Sequence, residues 1–438
     1  MEAINKNEEN IFFDVVKSLI YSSIGIFVFF IPININGKAL TTIYHIAEFI
    51  QIKGEKSLLV IYSIIIVFNV IKEIKYSQNH KDNIIQISTV IKILSMFILI
   101  VVFYNQNQFI KMDDNSALIL QEVVLEALVI VSISAIFMPL ITDYGLLEVT
   151  ESYFNKAMKK NFKISGKSII NIALYMSAGI YSGIFMTNRL YKQGKLRQNE
   201  VFIIFMYFPI ASIPVINYIC EEFNINKILT ILMSIIIMLI CNFIMVRIYP
   251  AKNKKKSYYQ KSNYKECNFK KDKRFIRALD SNIKNRSNEN IFKRIIDSEK
   301  ECISIQITLI PYVTLALSLI YIIINELNLY ILYESMLNPL YNLCKYNNTN
   351  EISIFLSRGI IDNILSIENL PNIVSLNTYI IAIIAIVGNV NLLNKYIAVK
   401  SFNLPIKNTE IISSYIIRII VILILYSIGY HIIIGYLK

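Results

Sequence analysis

Charge is what this sequence lacks first. Only 17% of its 438 residues are Asp, Glu, Lys or Arg, while 55% are hydrophobic. Soluble domains carry about 25% charged and about 45–50% apolar residues. A soluble chain this long would fold as about two or three domains, and these could not bury so much Ile, Leu, Phe and Tyr. Mean hydropathy is +0.51. The shortage of charge excludes a soluble globular protein, a disordered chain and a small disulfide scaffold. It leaves a polytopic membrane protein.

Catalytic and metal-binding groups are equally sparse. The five cysteines are Cys220, Cys241, Cys267, Cys302 and Cys344, an odd number without a CxxC pair. They support neither a disulfide framework nor a zinc site. His45, His80 and His431 are scattered, and no H-E-x-x-H occurs. No P-loop G-x-x-x-x-G-K-[ST] and no serine–histidine–acid or cysteine–histidine set is visible. The reading is therefore not an enzyme, with no cofactor and no metal. Ala and Gly are few beside abundant Ile, Asn, Lys and Tyr, the bias of an AT-rich genome, which blurs family motifs.

What is present is long apolar runs. Crossing a ~30 Å hydrocarbon core takes about 20 apolar residues as a helix, and open strands cannot cross, because lipid satisfies no backbone group. Runs 17–35, 57–75, 85–105, 117–141, 199–218, 226–248, 301–325, 374–394 and 411–436 qualify. The expected fold is all-α and polytopic, with about nine spanning helices. It divides into an N-terminal tail (1–16), transmembrane helices (17–141), a first region with a hairpin (142–248), a basic loop (249–300) and a second transmembrane half (301–438). The start, MEAINKNEEN, is acidic and unlike a cleavable signal.

The net charge of +13 is concentrated in one place. Residues 251–300 hold sixteen Lys or Arg against six Asp or Glu, a surplus of ten. A basic loop between apolar runs marks the cytoplasmic side, so no nucleic-acid partner is expected. The loop could carry an amphipathic helix on the anionic membrane surface. Working outward from it, the N-terminus lies inside and the C-terminus outside, in the cell membrane. Lys38, Lys53 and Lys56 then fall outside, against the trend. Residues 142–165 read as a helix lying in the inner interface.

Two regions break the count. Residues 168–187, SIINIALYMSAGIYSGIFMT, are long enough to cross, yet Lys163 and Lys167 precede them and Arg189, Lys192, Lys195 and Arg197 follow. Basic flanks at both ends and small residues at the centre favour a re-entrant hairpin entering from the cytoplasm. The alternative is a plain crossing helix packed closely through its small residues. Residues 329–366 have two short apolar halves around CKYNNTNE and read as a second hairpin, entering from outside. Opposed hairpins suit inverted repeats with a site near the midplane.

The run from Pro139-Leu140 through Gly145-Leu146-Leu147-Glu148, Gly166, Ser168, the Ser/Gly-rich centre, Thr187-Asn188-Arg189, Tyr191, Gly194 and Glu200 resembles the nucleoside-recognition (Gate) domain. It is nearest the YjiH-like family. The early SSIGIFVFFIPI with Gly37-Lys38 resembles that subgroup's first helix. The resemblance covers residues 18–220 and implies a transporter-like helical fold. The family carries an acidic residue where Asn171 stands and smaller residues around Leu174 and Tyr175.

Polar groups inside the membrane are functional candidates by default. At the first hairpin these are Ser177, Gly179, Ser182, Gly183, Thr187 and Asn188. In the second half they are Glu334, Ser335, Asn338 and Asn389. Hydroxyls, amides and exposed backbone suit a small polar solute such as a nucleoside, with membrane lipid as the other partner and a homo-oligomer left open. Against this, single Ser and Thr residues often bond only their own helix. Arg358 and Asp362 share a helix face and could pair. Glu122 and Glu126 share another. Arg418 should pair with an acid or backbone carbonyls. The rival to a transporter is a membrane scaffold or sporulation or envelope assembly factor that keeps the gate fold and docks partners on its 251–300 loop.

Overall fold

The computed structural model describes residues 2–80, 83–104, 120–121, 123–259, 273–285, 289–327, 331, 335–336, 338–339, 342, 386–387 and 392–437. Among them the chain is helical apart from one small ribbon. Helix α1 runs Glu2–Phe30 and ends where the ribbon begins. Strands β1 (Pro32–Ile35) and β2 (Lys38–Thr41) pair antiparallel around Asn36 and Gly37. Both turn residues have positive φ, 53° and 82°. An Asn-Gly pair adopts that left-handed geometry at least cost, and the resulting twist matches the strands. The first apolar run, 17–35, is thus a helix followed by a strand.

Helices α2 (Thr42–His80) and α3 (Asn83–Phe103) follow. Large apolar side chains on both stand in the open, among them Ile64, Phe68, Val90 and Phe97, each at least half exposed. Such contiguous apolar faces are not sustained in water; lipid is the solvent that fits them. A π-helical turn, Glu126–Ile130, leads into α4 (Val131–Thr142). Helix α5 spans Leu146–Phe162 and α6 spans Ser168–Lys192.

The expected span 199–218 is instead two ten-residue helices, α7 (Gln198–Tyr207) and α8 (Ile213–Glu222). Pro209 has no N–H to give the helix, so α7 stops at Phe208, which itself still has helical angles. Each piece is only about 15 Å long, half of what a crossing needs. Helix α9 runs Lys227–Met245. The basic segment contains α10, Arg274–Asn285, as the sequence allowed. Its Ala278 and Leu279 are buried against α5, so protein covers one of its faces. Helix α11, Ile291–Leu327, starts ten residues before the expected span. Helices α12 (Leu392–Ser401) and α13 (Asn408–Leu437) close the chain.

Among the described residues seven helices, α6 included, are long and apolar enough to cross a membrane by length and composition alone. This is a multi-pass, all-α membrane protein. The chain forms two compact units. The first gathers 1–47, 130–212 and 242–303; the second gathers 48–129, 213–241 and 304–438.

The second unit buries charge inside its helices. Lys92 on α3 is 1% exposed and reaches Glu73 and Asn69 of α2, each at 2.6 Å. The Arg418 guanidinium donates twice to the Val387 carbonyl, at 3.0 and 2.7 Å, the backbone partner expected of it. Gln306 Nε2 donates to the carbonyls of Ala127 and Leu128 in the π turn, at 3.2 and 2.9 Å. A π turn leaves carbonyls without their usual partners, and this amide covers two of them. The expected second hairpin lies outside the described residues but for a few positions. Glu122, Arg358 and Asp362 also lie outside.

Candidate functional site: a folded-back helix pair

The site is α6 and what holds it. Gly179 interrupts the helix with φ 81° and ψ 173°. Only glycine enters that region without steric cost. In a continuous helix Asn171 and Thr187 would stand about 24 Å apart, at 1.5 Å per residue. Instead Asn171 Nδ2 donates to Thr187 Oγ1 at 2.8 Å. The Tyr175 hydroxyl lies 3.1 Å from the same oxygen. These contacts close around Gly179, so α6 is a helical hairpin with arms 168–178 and 180–192. A continuous helix through 168–192 is excluded. Each arm is about 16–20 Å long, enough for half the hydrocarbon core.

The flanks agree. The Ser165 amide donates to Glu200 Oε1 at 2.7 Å, and Asn199 Nδ2 donates to the Lys163 carbonyl at 3.4 Å. The chain therefore enters and leaves the hairpin on one face. The basic segment joins that face: the Gln198 and Asn199 amides donate to the carbonyls of Ser257 and Lys255 at 2.8 and 3.0 Å.

The candidate side chains divide by how their hydrogen-bonding capacity is used. A threonine hydroxyl has one proton and two lone pairs. Thr187 donates to the Gly183 carbonyl at 2.8 Å and accepts from Asn171 and Tyr175. It is fully spent as the brace between the arms. Ser182 shares a 2.8 Å bond with Ser134 of α4, tying the second arm down. Thr41, at the end of β2, donates to the Ser177 carbonyl at 3.2 Å, one of the groups a helix break sets free. Gly183 gives the Tyr175 ring room to cross. Asn188 is 1% exposed.

Other polar atoms are not spent in this way. Ser177 Oγ and Asn171 Oδ1 are buried and have no protein partner among the described residues. A buried group left in that state costs roughly 1–3 kcal/mol, so each is a place for a ligand or a water. Ser335 and Asn338 are exposed in the second unit, and Glu334 and Asn389 lie outside the described residues.

The base of the hairpin is a charged cluster that the sequence did not single out. Lys167, just before the first arm, pairs with Glu151 of α5 at 3.1 Å, and both are essentially unexposed. Burial pushes the Lys167 pKa down, while Glu151 and Glu200 pull it up. Asp143, beyond the last turn of α4, accepts from Thr142 Oγ1 at 2.8 Å and from Arg294 of α11 at 3.1 Å. Arg189 of the second arm stands 3.6 Å from the same carboxylate. A carboxylate is unfavourable at a helix C-terminus; the two guanidiniums are what make Asp143 tolerable there. Lys195 adds a donor to the Thr142 carbonyl at 3.2 Å. Among the described residues no group of three or more His, Cys, Asp or Glu side chains gathers as a metal site.

Residues 124–226 match the model of the Gate family, described as nucleoside recognition. The matched stretch holds α4, α5, the hairpin, α7 and α8. An uncharacterized protein of Alkalihalophilus pseudofirmus is 26% identical over 265 residues, covering 56% of each chain. The chain thus spans little more than half the length of this curated relative. No solved structure matches it. By its fold the chain is a multi-pass membrane protein, and over residues 124–226 it is similar to the Gate family.

Proposed function

We propose that the hairpin binds a small polar solute of the nucleoside class and that the protein carries this solute across the cell membrane. The observation that carries the reading is two unspent buried polar atoms on the first arm, Ser177 Oγ next to the helix break at Gly179 and Asn171 Oδ1 about 9 Å further along. A hydroxyl and an amide carbonyl bind neutral hydroxyls and ring N–H groups without the desolvation cost of a charge. Discontinuous helices are where secondary transporters place their substrates. The Gate match supports the nucleoside class. Ser182, Gly183, Thr187 and Asn188 shape the site, with Thr187 and Ser182 holding the arms. The basic face around the hairpin's ends is the cytoplasmic one, because Lys and Arg accumulate there.

A thermal-shift screen of the detergent-purified protein tests this, using nucleosides, nucleobases, amino acids and simple cations. A ligand at a hundredfold excess over its Kd stabilises the native state by about 2.7 kcal/mol. The expected result is a shift with a nucleoside that Ser177→Ala abolishes. Ser177 is the clean probe, because its hydroxyl braces nothing. No shift with any solute in folded protein would overturn the reading and favour a scaffold.

A further inference from the structure

On the face where the hairpin's ends emerge, three separate segments enclose a cavity of about 440 Å³. Lys159 and Lys163 come from the end of α5, and Arg197 from the start of α7. Arg247, Lys252, Lys254 and Lys256 come from the chain after α9. Seven of the described lining residues are thus cations, and one, Glu200, is an acid. Glu200 offsets one of them and leaves a surplus of six positive charges. Its Oε1 accepts from the Ser165 amide at 2.7 Å and its Oε2 from the Arg197 amide at 2.9 Å.

Several of these cations bond neutral groups. The Arg247 guanidinium donates to the backbone carbonyls of Asn161, at 3.0 Å, and of Phe243. Both partners are neutral, so the charge stays whole. Arg197 donates to the Tyr258 hydroxyl at 3.2 Å and lies over that ring. Lys254 stands over the Phe202 ring at 5.2 Å. One of these charges has a local explanation. Lys159 sits in the last turn of α5, where a cation suits the helix dipole. A preference for basic residues on one face accounts for their number as well. Backbone bonds such as Asn199 N–H to the Lys255 carbonyl hold the three segments together, and a concave space lined mainly by one sign of charge concentrates the opposite sign.

We infer that this cavity is a phosphate-binding site. Several cations with a planar guanidinium among them recognise a phosphate monoester or diester. The phosphate belongs either to an anionic lipid headgroup of the adjoining leaflet or to a soluble phosphorylated compound. Basic pockets on the inner side of membrane proteins take lipid headgroups. The inference stands apart from the solute site, because it uses none of the hairpin's buried polar atoms.

The test uses the full chain, stripped of lipid in neutral detergent. One arm offers phosphatidylglycerol against phosphatidylcholine and counts retained lipids by native mass spectrometry. The other titrates inorganic pyrophosphate and follows thermal stability. The cavity variant carries Lys163→Gln, Lys252→Gln and Lys256→Gln, all exposed side chains. The control carries Lys156→Gln, Lys160→Gln and Lys284→Gln, exposed and outside the cavity. Both change net charge equally. The expected result is binding of at least one probe, weakened about a hundredfold in the cavity variant, since each Lys or Arg at an anionic surface contributes roughly a factor of five. The control should keep its affinity within about threefold, and added salt should weaken binding. Selective retention of phosphatidylglycerol without a pyrophosphate response assigns the phosphate to lipid. A pyrophosphate response assigns it to a soluble ligand. Binding of neither probe, or equal loss in both variants, would overturn the inference.

Discussion

The ring of Tyr175 occupies the space where a side chain on Gly183 would stand. A Cβ built on Gly183 meets three ring atoms at 2.5–2.6 Å. The ring is fully buried, so it has nowhere to retreat. Gly183→Ala should therefore spread the arms and destabilise the protein by about 1–3 kcal/mol, the usual cost of overpacking. Tyr175→Phe with Gly183→Ala should do no better, because the clash is with the ring and not the hydroxyl. Tyr175→Leu should relieve it. Retention of folded protein after heating in detergent, read by size exclusion, ranks the four proteins. Equal stability of Gly183→Ala and wild type would mean that the arms do not pack as described.

Thr187 is the hub of the same brace. Thr187→Val keeps the shape and removes the hydroxyl. It orphans the Asn171 amide and the Tyr175 hydroxyl, both buried, at roughly 1–3 kcal/mol each. Restoring the hydroxyl alone should recover most of the loss, so Thr187→Ser should behave nearly as wild type. If Thr187→Val instead keeps full thermal stability and loses only ligand response, Thr187 is a ligand contact and not a brace.

The fold-back itself has a topological consequence. Lys160 before the hairpin and Gln193 after it are both exposed. Lys160→Cys and Gln193→Cys should react with a membrane-impermeant thiol reagent from the same side of right-side-out or inverted vesicles. Cys267 and Cys344 are first replaced by Ser, and the buried Cys220, Cys241 and Cys302 contribute little background. Labelling from opposite sides would mean that α6 crosses the membrane.

The sequence disclosed this hairpin for a physical reason. A spanning helix cannot easily carry cations at both ends of one crossing, and small residues at mid-run permit a turn. Other features were written in the chain but masked. Asn36-Gly37 is a strong turn signal, yet it sat at the end of a run apolar enough to be taken as helix. Pro209 marked the break in 199–218, but hydropathy averaged over a window passes across a single proline. The charged base was not legible at all. Asp143 and Arg294 are 151 residues apart, and nothing local tells which distant charges will meet. Nor could the sequence separate Thr187, whose hydroxyl is spent, from Ser177, whose hydroxyl is not.

The charged base gives the last prediction. Lys167 and Glu151 are buried together, so removing one partner strands the other. Lys167→Met should cost about 3–5 kcal/mol, and adding Glu151→Leu should recover most of it, because a buried pair is often no better than an apolar one. The pH dependence has a definite sign. Burial lowers the Lys167 pKa from its ordinary value of 10.5. Between the depressed native value and 10.5 the unfolded chain therefore holds more protons than the native one. Stability from this group rises with pH across that window. Below the window the charged lysine carries its full desolvation cost, partly offset by Glu151. Thermal stability measured from neutral to alkaline pH should thus fall less steeply in wild type than in the Lys167→Met, Glu151→Leu double variant, which lacks the compensating term. Identical profiles would mean that Lys167 titrates in the folded protein as it does in the unfolded chain.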